Sequence, residues 1–216
     1  MIKYKYIAIE GNIGAGKSTL AKFLHRYFGG GLLLEEFEEN ASLKDFYENP
    51  EFALNAELQF LLDRSRQLYK FHEQDKPFII ADYIPLKSLI FARNNLPNKE
   101  FGLYEPIAKR MLQDYPQPDL ILFLDRDLDE LQENIKKRGR EYEQTVSDEY
   151  LQGIQDGYEN YLFEMVNVPI LKIQAKEIDL RRQGQLASAF QRIFQTEYAT
   201  AVRKVDLKVM MNSIVE

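Results

Sequence analysis

The sequence predicts an α/β fold of three layers: a five-stranded parallel sheet with helices on both faces, plus a short lid. Three observations predict it. Five apolar runs of strand length are spread over the 216 residues, and stretches of helical period separate them. Three of the runs end in a carboxylate, at Glu35, Asp82 and Asp125. In such a sheet the ligand sits beyond the carboxyl ends of the strands, so these acids are candidates for a site.

The first run, Tyr6-Ile7-Ala8-Ile9, leads into Gly11-Asn12-Ile13-Gly14-Ala15-Gly16-Lys17-Ser18-Thr19. This segment fits the phosphate-binding pattern of Gly, four residues and Gly-Lys-Ser/Thr. Leu20, Phe23, Leu24 and Tyr27 follow at helical spacing. Strand, glycine loop and helix together predict a fold of the P-loop NTPase type. The glycines let the backbone wrap a phosphate without clashing Cβ atoms, and successive N–H groups and the helix N-terminus face the anion. Lys17 is expected to reach the outer phosphates of ATP and the Ser18 hydroxyl to ligate Mg²⁺. A plain glycine turn with a capping serine would not require Lys and Ser in this register.

The second run, Leu32-Leu33-Leu34, opens the acidic stretch Glu35-Glu36-Phe37-Glu38-Glu39-Asn40. A solvated loop would have this composition, but the stretch leaves the sheet beside the phosphate loop, where a phosphate acceptor would sit. An acceptor already carrying a phosphate would meet like charge there, whereas a neutral hydroxyl would meet a base. A helical pattern through Leu54, Leu58, Leu61, Leu62 and Ser65 follows. The third run, Phe78 to Ala81, ends in Asp82 in the manner of a Walker-B acid. Pro116 and Pro118 mark a turn before the fourth run, Leu120 to Leu124, which ends in Asp125; Val168 to Ile173 is the fifth.

Between the fourth and fifth runs, a helix carrying Leu131 and Ile135 enters Lys136-Lys137-Arg138-Gly139-Arg140. Cations suit a helix C-terminus and glycine stops the helix. In a phosphate-binding chain the same residues predict a lid over about 136–145, with Arg138 and Arg140 closing over the transferring phosphoryl group. After about residue 175 the pattern is charged and helical, and Arg181-Arg182 reads as a solvated face.

Bulk properties bound the rest. One domain, 1–216, is expected, without internal repeats or a linker. The net charge of −6 argues against a general nucleic-acid-binding face. With no cysteine there is no disulfide, thiolate nucleophile or cysteine-based metal site. His25 and His72 read as packing or surface residues. No apolar run suits a membrane span, and the first strand begins too early for a signal peptide, so a cytoplasmic protein is expected.

Taken together, these segments resemble the deoxynucleoside kinase family, most closely its bacterial deoxyguanosine/deoxyadenosine kinase branch. The resemblance is carried by Ile9-Glu10-Gly11 through Thr19, by Glu35-x-x-Glu38-Glu39-Asn40 with Phe46-Tyr47, by Glu57 to Leu68, by Ile80-Ala81-Asp82-Tyr83 with Leu89-Ile90-Phe91-Ala92, and by Lys137-Arg138-Gly139-Arg140. It implies that Glu35 is the general base for a nucleoside 5′-hydroxyl, with Lys17 and Ser18 on the triphosphate and Mg²⁺. It further implies that Tyr47 and Glu143 hold the sugar 3′-hydroxyl, that Arg64 lies near the base and Glu35, and that Arg138 and Arg140 are lid arginines. It also suggests a homodimer.

Two departures from the family pattern matter. Better-known eukaryotic members carry Glu-Arg-Ser where this chain has Ala81-Asp82-Tyr83, so the phosphate-facing arginine is absent. Asp82 is therefore assigned to Mg²⁺ through water, at the edge of the nucleoside site, and Lys87 is a candidate to restore positive charge. Many members also have glutamine seven residues before the arginine, where Glu57 stands here. An ionised carboxylate only accepts hydrogen bonds, which suits the two adjacent donors of guanine and predicts a preference for deoxyguanosine. Gln59 would read the base instead if the register differs.

The expected reaction is transfer of the ATP γ-phosphoryl to the 5′-hydroxyl of a purine deoxynucleoside. A monophosphate kinase of the thymidylate type on the same fold, or a nucleotide-binding scaffold without catalysis, are the alternatives.

Overall fold

The computed structural model describes residues 2–36, 41–72, 76–163 and 167–212. Six parallel strands form one sheet, in the order β2-β3-β1-β4-β5-β6. They are β1 Tyr6–Gly11, β2 Gly31–Leu33, β3 Ile79–Ala81, β4 Leu120–Asp125, β5 Ile170–Gln174 and β6 Val202–Val205. The five expected strands are present, and β6 corrects the count to six. It lies in the stretch read as helical, and its Val202, Arg203 and Lys204 are exposed, so no apolar run announces it. Its backbone pairs with β5, where Ile170 stands opposite Val202.

Side-chain alternation along the central strands produces the three layers. Ile7 and Ile9 of β1 and Leu120, Leu122 and Leu124 of β4 face one core. That core also takes α1 (Lys17–Phe28), α6 (Leu128–Arg138) and α8 (Gln183–Gln195). Tyr6, Ala8, Ile121 and Phe123 face the other core, built with α3 (Ala53–His72), α4 (Lys87–Asn95), α5 (Asn98–Leu112) and α7 (Asp148–Gly157). Helices α2 (Ala41–Glu48) and α9 (Leu207–Asn212) complete the set among the described residues. No helix among these residues is long and apolar enough to cross a membrane.

The expected helical stripes hold with two exceptions. Leu20, Phe23 and Leu24 are buried, while Tyr27 is exposed and rests its ring on Phe23. On α3, Leu61 and Ser65 are buried but Leu62 is exposed, and the inward face also carries Glu57, Arg64 and Gln67. That polar inner face shows that α3 borders a cavity as well as a core.

The chain leaves β1 toward the β2 edge and leaves β3 toward the opposite one. The adjacent β1 and β3 thus form the switch point of the sheet, and a crevice opens at their carboxyl ends.

Candidate active site

The glycine loop closes tightly over that crevice. Gly11, Gly14 and Gly16 all have positive φ. A Cβ at Gly14 would meet the backbone oxygen of Leu131 at 2.8 Å, so glycine is required there both by conformation and by space. Asn12 ties the loop to α7 by donating from Nδ2 to the Leu151 carbonyl at 2.8 Å. Asn134 of α6 reaches back to the carbonyl of Gly14 at 2.8 Å. Lys17 Nζ donates to the carbonyls of Gly11 and Asn12, each at 2.8 Å. Burial lowers the Lys17 ammonium to about 8 and the nearby Lys87 charge adds to this, while Glu10, Glu35 and Asp82 oppose it. The buried Glu10 carboxylate braces this end of β1, accepting from the Ile84 N–H and the Tyr158 hydroxyl, each at 2.7 Å.

One carboxylate joins the loop to the second strand. Asp82 accepts from the Ser18 hydroxyl through Oδ2 and from the Glu35 backbone N–H, at 2.7 Å, through Oδ1. Ser18 and Asp82 are hard oxygen donors brought together beside the glycine loop. Mg²⁺ commonly takes one or two protein oxygens and fills its remaining positions with water and substrate phosphates, so this pair fits the ion.

The Glu35 side chain is held by two cations. Arg64 donates to Oε1 through Nε at 2.9 Å and through Nη2 at 2.6 Å, and Lys87 donates to Oε2 at 2.5 Å. Burial alone would raise its carboxyl, but the Lys87 and Arg64 charges and hydrogen bonds outweigh it and hold Glu35 well below the usual carboxylate range. Arg64 also donates to the Ser88 hydroxyl at 2.7 Å and lies over the ring of Phe60.

Beyond Glu35 the crevice is lined by aromatic rings. Phe46 and Tyr47 of α2, Phe60 of α3, Phe91 of α4 and Tyr150 of α7 all face it, and Glu57 stands among them. Glu57 is buried; its Oε1 accepts from Asn95 Nδ2 at 2.6 Å and its Oε2 has no hydrogen-bond partner. Helix α7 packs tightly on other side chains of α4, the helix that carries Asn95. A Cβ at Gly153 would meet Asn94 Oδ1 at 2.2 Å, and one at Gly157 would meet Ile90 at 2.9 Å.

The expected lid is a helix end followed by a turn. Helix α6 stops at Gly139, whose positive φ lets its N–H reach the Ile135 carbonyl. Arg138 and Arg140 both face the crevice and both pair with Glu143, the latter at 3.3 Å. Tyr47 stacks on Tyr142, with ring centroids 5.8 Å apart. Burial raises the Tyr47 hydroxyl well above its ordinary value, and the charge of Glu143 adds to this.

Most of these residues line one cavity of about 570 Å³. Ile13, Gly14, Ala15, Gly16, Lys17, Ser18 and Thr19 form one end, and Glu35, Tyr47, Glu57, Arg64, Asp82, Arg138, Arg140 and Glu143 line the remainder. Gly11 and Asn12 lie beneath the loop and act through their carbonyls. Asp125, a candidate by its strand-end position, turns away: it is taken by Gln174 at 2.5 Å and by Lys172 at 3.4 Å. Gln59 is occupied by Asp63, at 2.8 Å and 3.0 Å, and of the two residues Glu57 lines the cavity. Glu38, Glu39 and Asn40 lie outside the described residues, as does the side chain of His72.

Asn95 and Arg126 both line the cavity and belong to no motif legible in the sequence. Lys87 carried a signal only through the missing arginine after β3, one helical turn before it.

Known proteins share the sequence and the fold of this chain. Residues 7–197 match the family model described as deoxynucleoside kinase. A deoxyguanosine kinase of Bacillus subtilis (strain 168) is 37% identical over 159 residues, covering 71% of this chain and 76% of that protein. A deoxyadenosine/deoxycytidine kinase of the same organism is 28% identical over 186 residues, covering 82% and 86%. The solved structure of deoxyadenosine kinase from M. mycoides with bound dATP has a TM-score of 0.77 at 24% identity, covering 89% of this chain and 100% of that one, and shows the same fold. With most of its length matched by the family model, this chain belongs to the deoxynucleoside kinase family.

Proposed function

We propose that the protein transfers the γ-phosphoryl group of ATP to the 5′-hydroxyl of a purine deoxynucleoside, with deoxyguanosine preferred over deoxyadenosine. One observation carries the reading: Asp82 hydrogen-bonds both the Ser18 hydroxyl and the backbone of Glu35, which fixes a proton acceptor beside a phosphate cradle in one cavity. The glycine loop and Lys17 hold the triphosphate of the donor. Ser18 and Asp82 would hold Mg²⁺, which when bound neutralises charge on the donor phosphates. Tyr47 and Glu143 orient the sugar, and the aromatic walls sandwich the base. Glu35 accepts a hydrogen bond from the 5′-hydroxyl, aims it, and takes its proton late, as a loose phosphoryl transition state requires. Lys87, and Arg138 and Arg140 on leaving Glu143, supply positive charge to the equatorial oxygens.

Relatives acting on deoxyguanosine and on deoxyadenosine or deoxycytidine support the substrate class. A monophosphate kinase would need uncommitted cations at the acceptor end, and both cations beside Glu35 are engaged by its carboxylate. The proposal includes a homodimer; Leu103 and Ile107, exposed one turn apart on α5, are an apolar face suited to it.

The test is a panel of the four deoxynucleosides and their 5′-monophosphates with Mg-ATP. Phosphorylation of purine deoxynucleosides, deoxyguanosine fastest, is expected. Turnover of monophosphates alone would contradict the reading, and ATP binding without turnover of any acceptor would favour a scaffold.

A further inference from the structure

Resting on the purine nucleoside reading, we propose that Glu57 sets base choice through its own protonation. As a carboxylate it accepts from guanine N1–H and the exocyclic amine; as a carboxylic acid it accepts from the adenine amine and donates to adenine N1. The two bases thereby select opposite protonation states of one side chain.

The geometry is specific. Glu57 is 2% exposed and lines the cavity; its Oε2 is buried without a hydrogen-bond partner, while Asn95 occupies Oε1 at 2.6 Å. A buried carboxylate oxygen without a donor is costly, and either an incoming N–H or a bound proton relieves it. Guanine offers two adjacent donors and satisfies the ionised form. Adenine offers one donor beside an acceptor, so a carboxylate would face the N1 lone pair with a lone pair of its own. Protonation converts that repulsion into a hydrogen bond. Asn95 donates to Oε1, which favours the charged form, and holds the carboxyl plane in place.

The surroundings make both forms accessible near neutrality. Burial pushes the Glu57 carboxyl up to about 7. Arg64, two turns along α3, and Lys87 of α4 favour the charged form; Glu35 after β2 opposes it. Tyr104 of α5, Tyr47 of α2 and Tyr150 of α7 complete the titratable surroundings, and burial raises all three, so they stay neutral. The Tyr104 hydroxyl donates to the Glu57 backbone carbonyl at 3.4 Å, leaving the side chain to the ligand.

The experiment is the ratio of kcat/KM for deoxyguanosine to that for deoxyadenosine as a function of pH. Ionisations common to both substrates cancel in this ratio, and if each base takes only one form of Glu57 it changes tenfold per pH unit. An increase of about 100-fold from about pH 6 to about pH 8 is expected. In Glu57→Gln the amide is fixed as one donor and one acceptor, so the ratio becomes flat and falls toward deoxyadenosine. A wild-type ratio that is flat within about threefold, or the same slope in Glu57→Gln, would overturn the proposal.

Calorimetry on the wild-type protein provides a readout independent of turnover. With a non-hydrolysable ATP analogue, in buffers of different ionisation heat near about pH 7, deoxyguanosine binding releases protons and deoxyadenosine binding takes them up. Equal proton exchange for the two, or binding of neither, would overturn it. Opposite proton exchange without phosphorylation of either nucleoside would sustain this proposal and sink the kinase reading alone.

Discussion

Lys87 Nζ lies 2.5 Å from Glu35 Oε2, while Arg64 holds the other oxygen of the same carboxylate. Glu35 is thus kept ionised and fixed by partners on both oxygens. A base so firmly ionised is a weak base, which is adequate when the attacking alcohol keeps its proton until phosphoryl transfer is far advanced. The same lysine repels Lys17, so Lys87 couples Glu35 electrostatically to the glycine loop.

Replacement of Lys87 by methionine is therefore expected to act on both. It removes a cation from the reacting phosphates, and kcat should fall by ~10² to 10³. It also relieves repulsion at Lys17, so the loss of ATP affinity at alkaline pH should move to higher pH. Steady-state kinetics and ATP titrations across pH measure both effects; an unchanged kcat would take Lys87 out of the reaction.

Arg138 and Arg140 pair with Glu143, and in the proposed reaction they exchange it for phosphate oxygens. Arg138→Ala and Arg140→Ala should each lower kcat by ~10² or more, with smaller changes in the KM for ATP. Because Glu143 loses a partner in each variant, the KM for the nucleoside should also shift. Rapid kinetics separates the two parameters, and a loss confined to nucleoside KM would assign these arginines to sugar positioning only.

Glu57 links the site to stability. Burial raises its carboxyl from 4.5 to about 7 in the folded protein. Between those values the folded state holds a proton that the unfolded chain has lost, so the contribution of Glu57 to stability falls as pH rises through this window. The full effect is about 3 kcal/mol. Glu57→Gln has no such dependence. Its stability relative to the wild type should therefore rise between about pH 5 and about pH 8, as read by denaturant titration at each pH. A constant difference would show that Glu57 does not titrate in this range.

Much of this site was legible in the chain because its parts are local. The glycine loop, Lys17 and Ser18 follow one strand, and Glu35 and Asp82 end two others, so sequence order alone carries them to the sheet's carboxyl edge. What was not legible depends on packing between distant elements. Asp125 occupies an equivalent strand end, yet Lys172 and Gln174 of the neighbouring strand claim it. The partnership of Glu57 with Asn95 joins α3 to α4, two helices separated in sequence by a strand. Strand β6 escaped notice because an exposed edge strand needs backbone partners more than an apolar run.

The central claim is that Glu35 receives the proton of an alcohol aimed at a triphosphate held by Lys17. Single-turnover phosphoryl transfer from Mg-ATP to deoxyguanosine by Glu35→Gln tests it most directly, with ATP affinity measured on the same preparation as proof of a folded donor site. ATP binding should stay within about threefold of wild type, and the transfer rate should be lower by ~10² to 10⁴. A variant that binds ATP normally and transfers the phosphoryl group at near wild-type rate would contradict it.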